Sequence, residues 1–301
     1  MTNTETKYPN FFIVGAPKCG TTSLVHYLQQ SPNIFFAPKE IHFFGRDLQI
    51  VNQLKDTEKY LNYFNKSTQP LRGDASVWYL YSRSAPQEIK QMMQNPKIII
   101  CLRHPVEMIH SLHSENLYNA DENEKDFEKA LALEYSRTTH QNIPLKARFE
   151  QCLFYKQNGL YSGHIERWLK EFGKENVHFV LLNELRSNAL ETTNDCLKFL
   201  GEKPLENMNS DVKNEGKSYG SLVLHQKFKT ANNFEKNIIR FLLPSKKLRK
   251  KILDKIYQKN IHVGQQENMS NELRSQLLSF FKEDIKKTSE LIDKNLNHWL
   301  L

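Results

Sequence analysis

The stretch Phe11-Phe12-Ile13-Val14-Gly15-Ala16-Pro17-Lys18-Cys19-Gly20-Thr21-Thr22-Ser23 decides the fold of this chain. Its first four residues are apolar and a glycine follows them, a pattern typical of a short buried strand. Apolar residues then recur at helical spacing between Thr22 and Gln30, after which Ser31-Pro32-Asn33 ends the helix. The stretch therefore predicts a strand, a tight loop and a helix, the first unit of an α/β fold.

The loop of this unit has the composition of an anion site. Gly15 and Gly20 permit a tight backbone whose N–H groups converge at the N-terminus of the helix, where negative charge is favoured. A lysine adds positive charge, and three hydroxyls add donors. The predicted anion-binding residues are Lys18, Cys19, Gly20, Thr21, Thr22 and Ser23. The alternative is an ordinary strand-to-helix turn in which the hydroxyls cap the helix.

A nucleotide-dependent kinase with a GxxxxGK[ST] loop is a second alternative. The two glycines have the right spacing, but Thr21 follows Gly20 where that loop needs a lysine. The apolar run 97–102 also ends in Arg103 and not in an acidic residue that could hold Mg²⁺. A kinase is therefore disfavoured, because the chain has neither the lysine that would bind the phosphates nor the acidic residue that would hold the metal.

Further apolar runs predict more strands, separated by helical patterns. They are Ile34-Phe35-Phe36, residues 97–102 and residues 178–182. Strands that alternate with helices predict an α/β fold with a P-loop-like central parallel sheet flanked by helices. From about residue 222 the pattern is helical and basic, with no strand. We expect a single domain over 1–301, with an α/β core at 1–221 and a helical C-terminal portion at 222–301.

Composition limits the classes of protein to which the chain can belong. The chain has 301 residues and no run of about 18 apolar residues that would span a membrane. Its N-terminus lacks the apolar core of a signal peptide, and its four cysteines lack metal-ligand spacing, so we expect a cytoplasmic protein with no bound metal. The net charge of +8 suits an anionic partner, but no nucleic-acid recognition motif occurs, so we expect no nucleic acid.

The sequence resembles the sulfotransferases that use 3′-phosphoadenosine 5′-phosphosulfate (PAPS), especially the heparan sulfate sulfotransferase-like branch and its bacterial-type members. The resemblance covers nearly the whole chain and is carried by four segments. They are residues 11–24, Lys39-Glu40-Ile41-His42-Phe43-Phe44, Leu102-Arg103-His104-Pro105 with Ser111 eight residues after the arginine, and residues 159–169. It implies an enzyme that transfers a sulfuryl group from PAPS, with the loop on the donor's 5′-phosphosulfate and no metal.

The resemblance implies that Glu40 is the general base beside the acceptor hydroxyl. Glu40 follows the predicted strand 34–36, which would bring it to a strand end near the loop. Lys18 would stabilise the leaving phosphate. His42 is a second candidate for the base and for an acceptor contact, because histidine titrates near neutral pH. The alternatives are an exposed Glu40 beside Lys39 and a His42 that is only packed, and a protein that merely binds phosphate would need no base.

Two further groups of residues follow from the resemblance. Arg103 and Ser111 resemble the pair that binds the donor's 3′-phosphate, and Lys217, Ser218 and Tyr219 lie where the family places a second phosphate loop. Asp74 and Trp78 lie in a segment that lines the acceptor cleft, although Trp78 is as compatible with the core. Heparan-modifying members tend to have a lysine in this segment, and the chain has Asp74 instead, which argues against a heparan-like acidic acceptor.

The acceptor is left open by the sequence. A glycan is expected from the branch that the chain resembles, and a small-molecule alcohol or a lipid is the alternative. Residues 245–260 hold seven lysines and arginines against one acid, with apolar residues at helical spacing. This basic amphipathic helix predicts a solvated face, a peripheral contact with the inner face of a membrane, or a grip on an acidic acceptor.

Overall fold

The computed structural model describes residues 6–210, 217–219, 261–263 and 269–301. Its centre is a five-stranded sheet with the order β2-β3-β1-β4-β5, in which all neighbouring strands are parallel. The strands are β1 (Phe11–Gly15), β2 (Ile34–Phe36), β3 (Leu71–Ala75), β4 (Lys97–Leu102) and β5 (Val177–Leu181). The predicted α/β fold with a central parallel sheet is confirmed.

Helices connect the parallel strands, as crossover connections between parallel strands require. The connecting helices are α1 (Thr21–Leu28), α2 (Thr57–Asn65), α3 (Ala85–Met92), α4 (Pro105–Asn119), α5 (Phe127–Ala132), α6 (Glu134–Arg137), α7 (Tyr155–Gly159) and α8 (Tyr161–Phe172). Helices α9 (Leu182–Ser187), α10 (Ala189–Phe199) and α11 (Asn271–Ile292) follow β5. Helix α11 confirms the helical character expected of the C-terminal portion.

The strands that the sequence predicts are the most apolar ones. Every residue of β1 is buried, and β4 is buried from Ile98 to Leu102. Parallel strands are covered on both faces, so they read as continuous apolar runs and not as an alternation. This is why β1, β2, β4 and β5 are visible in the sequence.

Strand β3 is not visible in the sequence, because Leu-Arg-Gly-Asp-Ala has neither an apolar run nor an alternating pattern. It lies between β1 and β2, and Gly73 is the reason it fits there. A Cβ on Gly73 would lie 2.5 Å from Cζ of Phe11 and 2.6 Å from Cε1 of Phe36. The glycine leaves room for these two rings, which meet edge to face with centroids 5.1 Å apart.

The chain forms two compact units. The first comprises Met1–Met108, Gln157–Asn214 and Ser275–Leu301, and it contains the whole five-stranded sheet. The second comprises Ile109–Lys156 and Glu215–Arg274. The expected division into a core at 1–221 and a helical portion at 222–301 stays a prediction.

The second unit contains two short strands, β6 (Lys217–Tyr219) and β7 (Ile261–Val263), which pair antiparallel. The expectation that no strand follows residue 222 is therefore wrong. Three residues are too few to show a period in the sequence, and pairing with β6 is what makes 261–263 a strand. The basic helix predicted over 245–260 lies outside the described residues.

Candidate active site

The predicted anion loop lies between β1 and α1, at the carboxyl ends of the two central strands. The amide of Ala16 donates to the carbonyl of Cys101 at the end of β4, over 2.7 Å. Lys18 and Gly20 both have left-handed backbone angles, with φ of 62° and 81°. Ligands of open α/β sheets bind at this edge, and residues with positive φ turn successive N–H groups toward one point.

Gly20 cannot be replaced without displacing its neighbours. A Cβ at this position would lie 2.7 Å from Cδ1 of Leu182 and 3.2 Å from Cδ2 of Leu185 on α9. Gly20 is also the N-cap of α1, and no side chain among the described residues caps that helix there. The positive end of α1 is therefore open to an anion from outside the chain.

Cys19 can contribute only its backbone to such a site. Its side chain is fully buried, and Sγ donates to the carbonyl of Pro17 over 3.4 Å. Burial raises the pKa of the Cys19 thiol to about 12, against the opposing charges of Arg103 and Lys18. The thiol is thus protonated at neutral pH and is not a nucleophile.

A continuous polar array leads from the loop to the segment after β2. Nζ of Lys39 donates to Oγ1 of Thr21 and to Oγ1 of Thr22, both over 2.8 Å. The same Nζ lies 3.8 Å from Oε1 of Glu40, and Oε2 of Glu40 lies 3.0 Å from Nε2 of His42. The structure thus brings Thr21, Thr22, Glu40 and His42 together through Lys39, which the sequence analysis did not single out.

Lys39 was missed because a lysine beside a glutamate on a loop has the pattern of a solvated pair. Its side chain is only 19% exposed, and that of Glu40 is 24% exposed. The one signal in the sequence is that Lys39 precedes a candidate base by one residue. Its contact with the loop depends on how β2 lies relative to α1, which the sequence does not show.

A buried carboxylate lies beneath this segment. Asp74, at 1% exposure, accepts hydrogen bonds from Oη of Tyr60 (2.9 Å), Oη of Tyr79 (3.0 Å) and Oγ of Ser76 (2.8 Å). Burial raises the pKa of the Asp74 carboxyl, although these three hydroxyls act in the opposite direction. The sequence placed Asp74 in the acceptor cleft, whereas in the structure both of its oxygens are bonded inside the core.

The same hydroxyls hold the backbone of the segment that carries Glu40 and His42. Oγ of Ser76 accepts from the amide of His42 (3.1 Å), and Oη of Tyr79 accepts from the amides of Phe43 (2.8 Å) and Phe44 (3.3 Å). Three backbone donors are therefore satisfied by two side chains that also donate to Asp74. Such a network holds a loop in one conformation as long as every member keeps its partner.

Trp78 belongs to the core. Its side chain is buried, and its ring lies 5.4 Å from that of Tyr81, tilted by 47°. This burial supports a place for Trp78 in the core, one of the two interpretations that the sequence allows.

Arg103 follows β4 at the same edge of the sheet as the loop. Its carbonyl accepts from Oη of Tyr161 over 2.9 Å, and Nη2 lies 3.6 Å from Oε2 of Glu107. Burial lowers the pKa of the Arg103 guanidinium, and the positive charge of Arg186 lowers it further. An arginine stays charged in any case, so these residues make the loop's surroundings electropositive.

A family model described as a sulfotransferase domain matches residues 8–292. The chain belongs to the sulfotransferase family.

This sulfotransferase domain has relatives with named activities. It is 29% identical over 211 residues to bifunctional heparan sulfate N-deacetylase/N-sulfotransferase 4 of Mus musculus, a match to 65% of this chain and 22% of the relative. It is also 29% identical over 199 residues to heparan sulfate glucosamine 3-O-sulfotransferase 5 of Mus musculus, over 65% of this chain and 54% of the relative. The chain therefore spans less than two thirds of the length of either relative.

A solved structure resembles this sulfotransferase domain over nearly its full length. The crystal structure of a sulfotransferase from Alicyclobacillus acidocaldarius superposes with a TM-score of 0.69 and 25% identity. The match covers 97% of this chain and 99% of that one. The central parallel sheet is thus the framework of a sulfotransferase fold.

The remaining predicted site residues of the sulfotransferase domain lie in its second unit. Ser111 is a half-buried residue of α4. Lys217, Ser218 and Tyr219 form β6, where a phosphate loop was expected. The structure brings the loop residues, Glu40 and His42 together in the first unit, and the roles of these four residues stay predictions.

The described residues also bear on metal sites and membrane spans. No group of three or more His, Cys, Asp or Glu residues that could hold a metal ion occurs within 6–210, 217–219, 261–263 or 269–301. Among the helices of the same ranges, none is long and apolar enough to cross a membrane.

Proposed function

We propose that this domain transfers a sulfuryl group from PAPS to a hydroxyl or an amine of an acceptor, with Glu40 as the general base. The observation that carries the proposal is the polar array Thr21/Thr22–Lys39–Glu40–His42, with successive distances of 2.8, 3.8 and 3.0 Å. The array links the anion loop to the short segment that carries the Glu40 carboxylate. A protein that only bound phosphate would not need that carboxylate beside the loop.

The residues of the loop suit the 5′-phosphosulfate of the donor. Gly20 caps α1 without a side chain, and a Cβ there would fill the space against Leu182. We therefore assign the backbone of residues 18–23, the Lys18 ammonium and the hydroxyls of Thr21, Thr22 and Ser23 to this group. We assign the 3′-phosphate to Arg103 and Ser111, with Lys217, Ser218 and Tyr219 as further candidates from the family resemblance. A planar guanidinium suits a phosphate.

The donor supplies an activated sulfuryl group, and the residues of the chain handle the proton and the charge. Glu40 takes the proton of the acceptor oxygen as the new S–O bond forms. The bond between sulfur and the 5′-phosphate oxygen breaks, and that oxygen keeps the electron pair. Lys18 and the loop amides stabilise the negative charge that develops there, without a metal. His42, whose Nε2 lies 3.0 Å from Oε2 of Glu40, is the second candidate for the base.

We propose a glycan as the acceptor and a small-molecule alcohol or lipid as the alternative. The glycan is supported by the relatives, whose names give heparan sulfate as what they modify. A membrane contact of residues 245–260 would suit a lipid-linked acceptor. Asp74 and Trp78, both buried, stay candidate acceptor contacts from the family resemblance.

Radiolabelled PAPS tests the proposal when it is added to the purified chain with a panel of glycans and small alcohols. We expect label on one class of acceptor, and we expect Glu40→Gln to lower the rate by about 10²–10⁴-fold, the contribution of a general base. Glu58→Gln, at an exposed position in the first turn of α2, is the matched control. A wild-type chain that binds no PAPS at saturation would overturn the proposal, and full activity in Glu40→Gln would remove Glu40 from it.

A further inference from the structure

We infer that Lys39 is a second lysine of the donor site and that it binds the sulfuryl group itself, an inference that rests on the proposed function. In an in-line transfer the leaving oxygen, the sulfur and the attacking oxygen lie in a row. The loop is the proposed phosphate end of that row, and Glu40 marks its acceptor end. Lys39 contacts both, at 2.8 Å to the loop hydroxyls and 3.8 Å to Glu40.

The contacts of Lys39 with the loop leave the loop able to bind phosphate. A hydroxyl both donates and accepts, so Oγ1 of Thr21 and of Thr22 can accept from Lys39 and still donate to a phosphate oxygen. The two threonines can therefore bind the phosphate with or without Lys39, whose Nζ also lies 3.8 Å from Oε1 of Glu40.

Burial makes the charge of Lys39 effective. The side chain is 19% exposed, so its field is screened less than that of a surface lysine. Its contacts with Thr21 and Thr22, the first residues of α1, place Lys39 at the carboxyl edge of the sheet, where ligands of such sheets bind. A sulfuryl group presents anionic oxygens to it there.

The two lysines of the site have different predicted partners. Lys18 belongs to the loop and serves the phosphate, which is present both in PAPS and in 3′-phosphoadenosine 5′-phosphate (PAP), the product without the sulfuryl group. Lys39 serves the sulfuryl group, which only PAPS carries. The affinities for PAP and PAPS therefore separate the two roles without a known acceptor.

Isothermal titration of the full chain with PAP and with PAPS tests this inference. We expect Lys39→Met to weaken PAPS binding by about 10- to 100-fold, the loss of one charged hydrogen bond, and to change PAP binding by less than about threefold. Lys18→Met should weaken both nucleotides, and Lys39→Arg should keep most of the preference for PAPS. Lys66→Met, which removes one charge beyond the end of α2, is the matched control and should change neither.

Equal weakening of PAP and PAPS in Lys39→Met would overturn the inference, and so would no change in either. Lys39→Gln is measured alongside, because it removes the charge of Lys39 and keeps a polar N–H donor at this position. A selective loss of PAPS affinity in Lys39→Gln confirms the role if Lys39→Met fails to fold, and its absence overturns it. A wild-type chain that binds neither nucleotide would overturn the proposed function, whereas a normal wild type with an unselective Lys39→Met would overturn the role of Lys39 alone.

Discussion

Asp74 and Glu122 are both buried carboxylates, one in each compact unit, and their hydrogen-bond donors differ. Asp74 has only hydroxyl donors, from Tyr60, Ser76 and Tyr79. Glu122 accepts two hydrogen bonds from the guanidinium of Arg137, over 2.7 and 2.8 Å. Both members of this ion pair are 0% exposed.

The pKa values of the two carboxyls move in opposite directions. Burial raises the pKa of Asp74, and its neutral donors do not cancel that rise. Burial would also raise the pKa of Glu122, but hydrogen bonds from Arg137, the amide of Glu124 and Tyr155, together with the charge of Arg137, lower it below its ordinary value. At Glu122 the charged and backbone donors outweigh burial, whereas at Asp74 the hydroxyl donors do not.

The different chemistry suits different tasks. The ion pair of Glu122 and Arg137 joins the segment before α5 to α6. Removing either charge of a buried pair destabilises the fold, because the other charge stays buried without a partner. The Asp74 network ends on the amides of His42, Phe43 and Phe44 and holds the segment of the proposed base. Hydroxyls can reorient, so this network should tolerate loss of the charge better than loss of the hydrogen bonds.

The largest effect should come from Arg137→Met, which leaves the charge of Glu122 buried without its partner. We expect a loss of about 3–5 kcal/mol in the free energy of unfolding, measured by urea denaturation. The double variant Glu122→Gln/Arg137→Met should recover much of this loss, because neither charge remains. A single variant that loses less than about 1 kcal/mol would show that the pair does not stabilise the second unit.

Asp74→Ala should come next, because it leaves three buried hydroxyls without their acceptor. We expect a loss of about 1–3 kcal/mol by the same measurement. Asp74→Asn keeps one acceptor oxygen and has no charge to bury, so it should cost about 1 kcal/mol or less. If Asp74→Asn were as damaging as Asp74→Ala, the charge of Asp74 and not its hydrogen bonds would be what the network requires.

Tyr79→Phe tests whether the network positions the active segment and does more than stabilise the fold. It removes the acceptor of the Phe43 and Phe44 amides and one donor to Asp74, at a cost of about 1–3 kcal/mol in stability. We expect the sulfotransferase rate to fall by about 10- to 100-fold, since the proposed base would move. Tyr63→Phe, at an exposed position of α2, is the control and should change neither quantity. An unchanged rate in Tyr79→Phe would make the network purely structural.

The smallest effect concerns the dependence of stability on pH. Glu122 should make the free energy of unfolding rise with pH, and Asp74 should make it fall. The lowered pKa of Glu122 contributes stability that is present above about pH 4.5 and is lost as the pH falls through the folded-state pKa. The raised pKa of Asp74 contributes stability that is present below about pH 3.8 and is lost as the pH rises through the folded-state pKa.

Urea denaturation of the wild type, Asp74→Asn and the Glu122→Gln/Arg137→Met double variant between about pH 3 and 7 measures these slopes. Removing Glu122 should flatten the rise of stability with pH below about pH 4.5, and removing Asp74 should flatten a fall above about pH 3.8. If both variants changed the slope of the unfolding free energy against pH in the same direction, the two pKa values would not be shifted in opposite directions.

The predicted loop and the segment of Glu40 and His42 lie where the sequence analysis expected them, at strand ends of a parallel sheet. The fold was predictable because β1 and residues 98–102 of β4 are continuous apolar runs, which strands buried on both faces of a parallel sheet have. Strand β3 was not predictable, because its place depends on two aromatic rings from β1 and β2 that pack over Gly73. Such packing has no local pattern in Leu-Arg-Gly-Asp-Ala.

Three local features of this sulfotransferase can be read from its sequence: a strand, a loop with a lysine before its glycine, and a glutamate after the second strand. These features depend on residues that are near each other in the chain, so their spacing shows them. The contacts of Lys39 with Thr21 and Thr22 and the burial of Asp74 are visible only in the folded structure. Both depend on contacts between segments far apart in the chain. The segments bury these side chains only when they pack together, and burial strengthens electrostatic interactions because it excludes water.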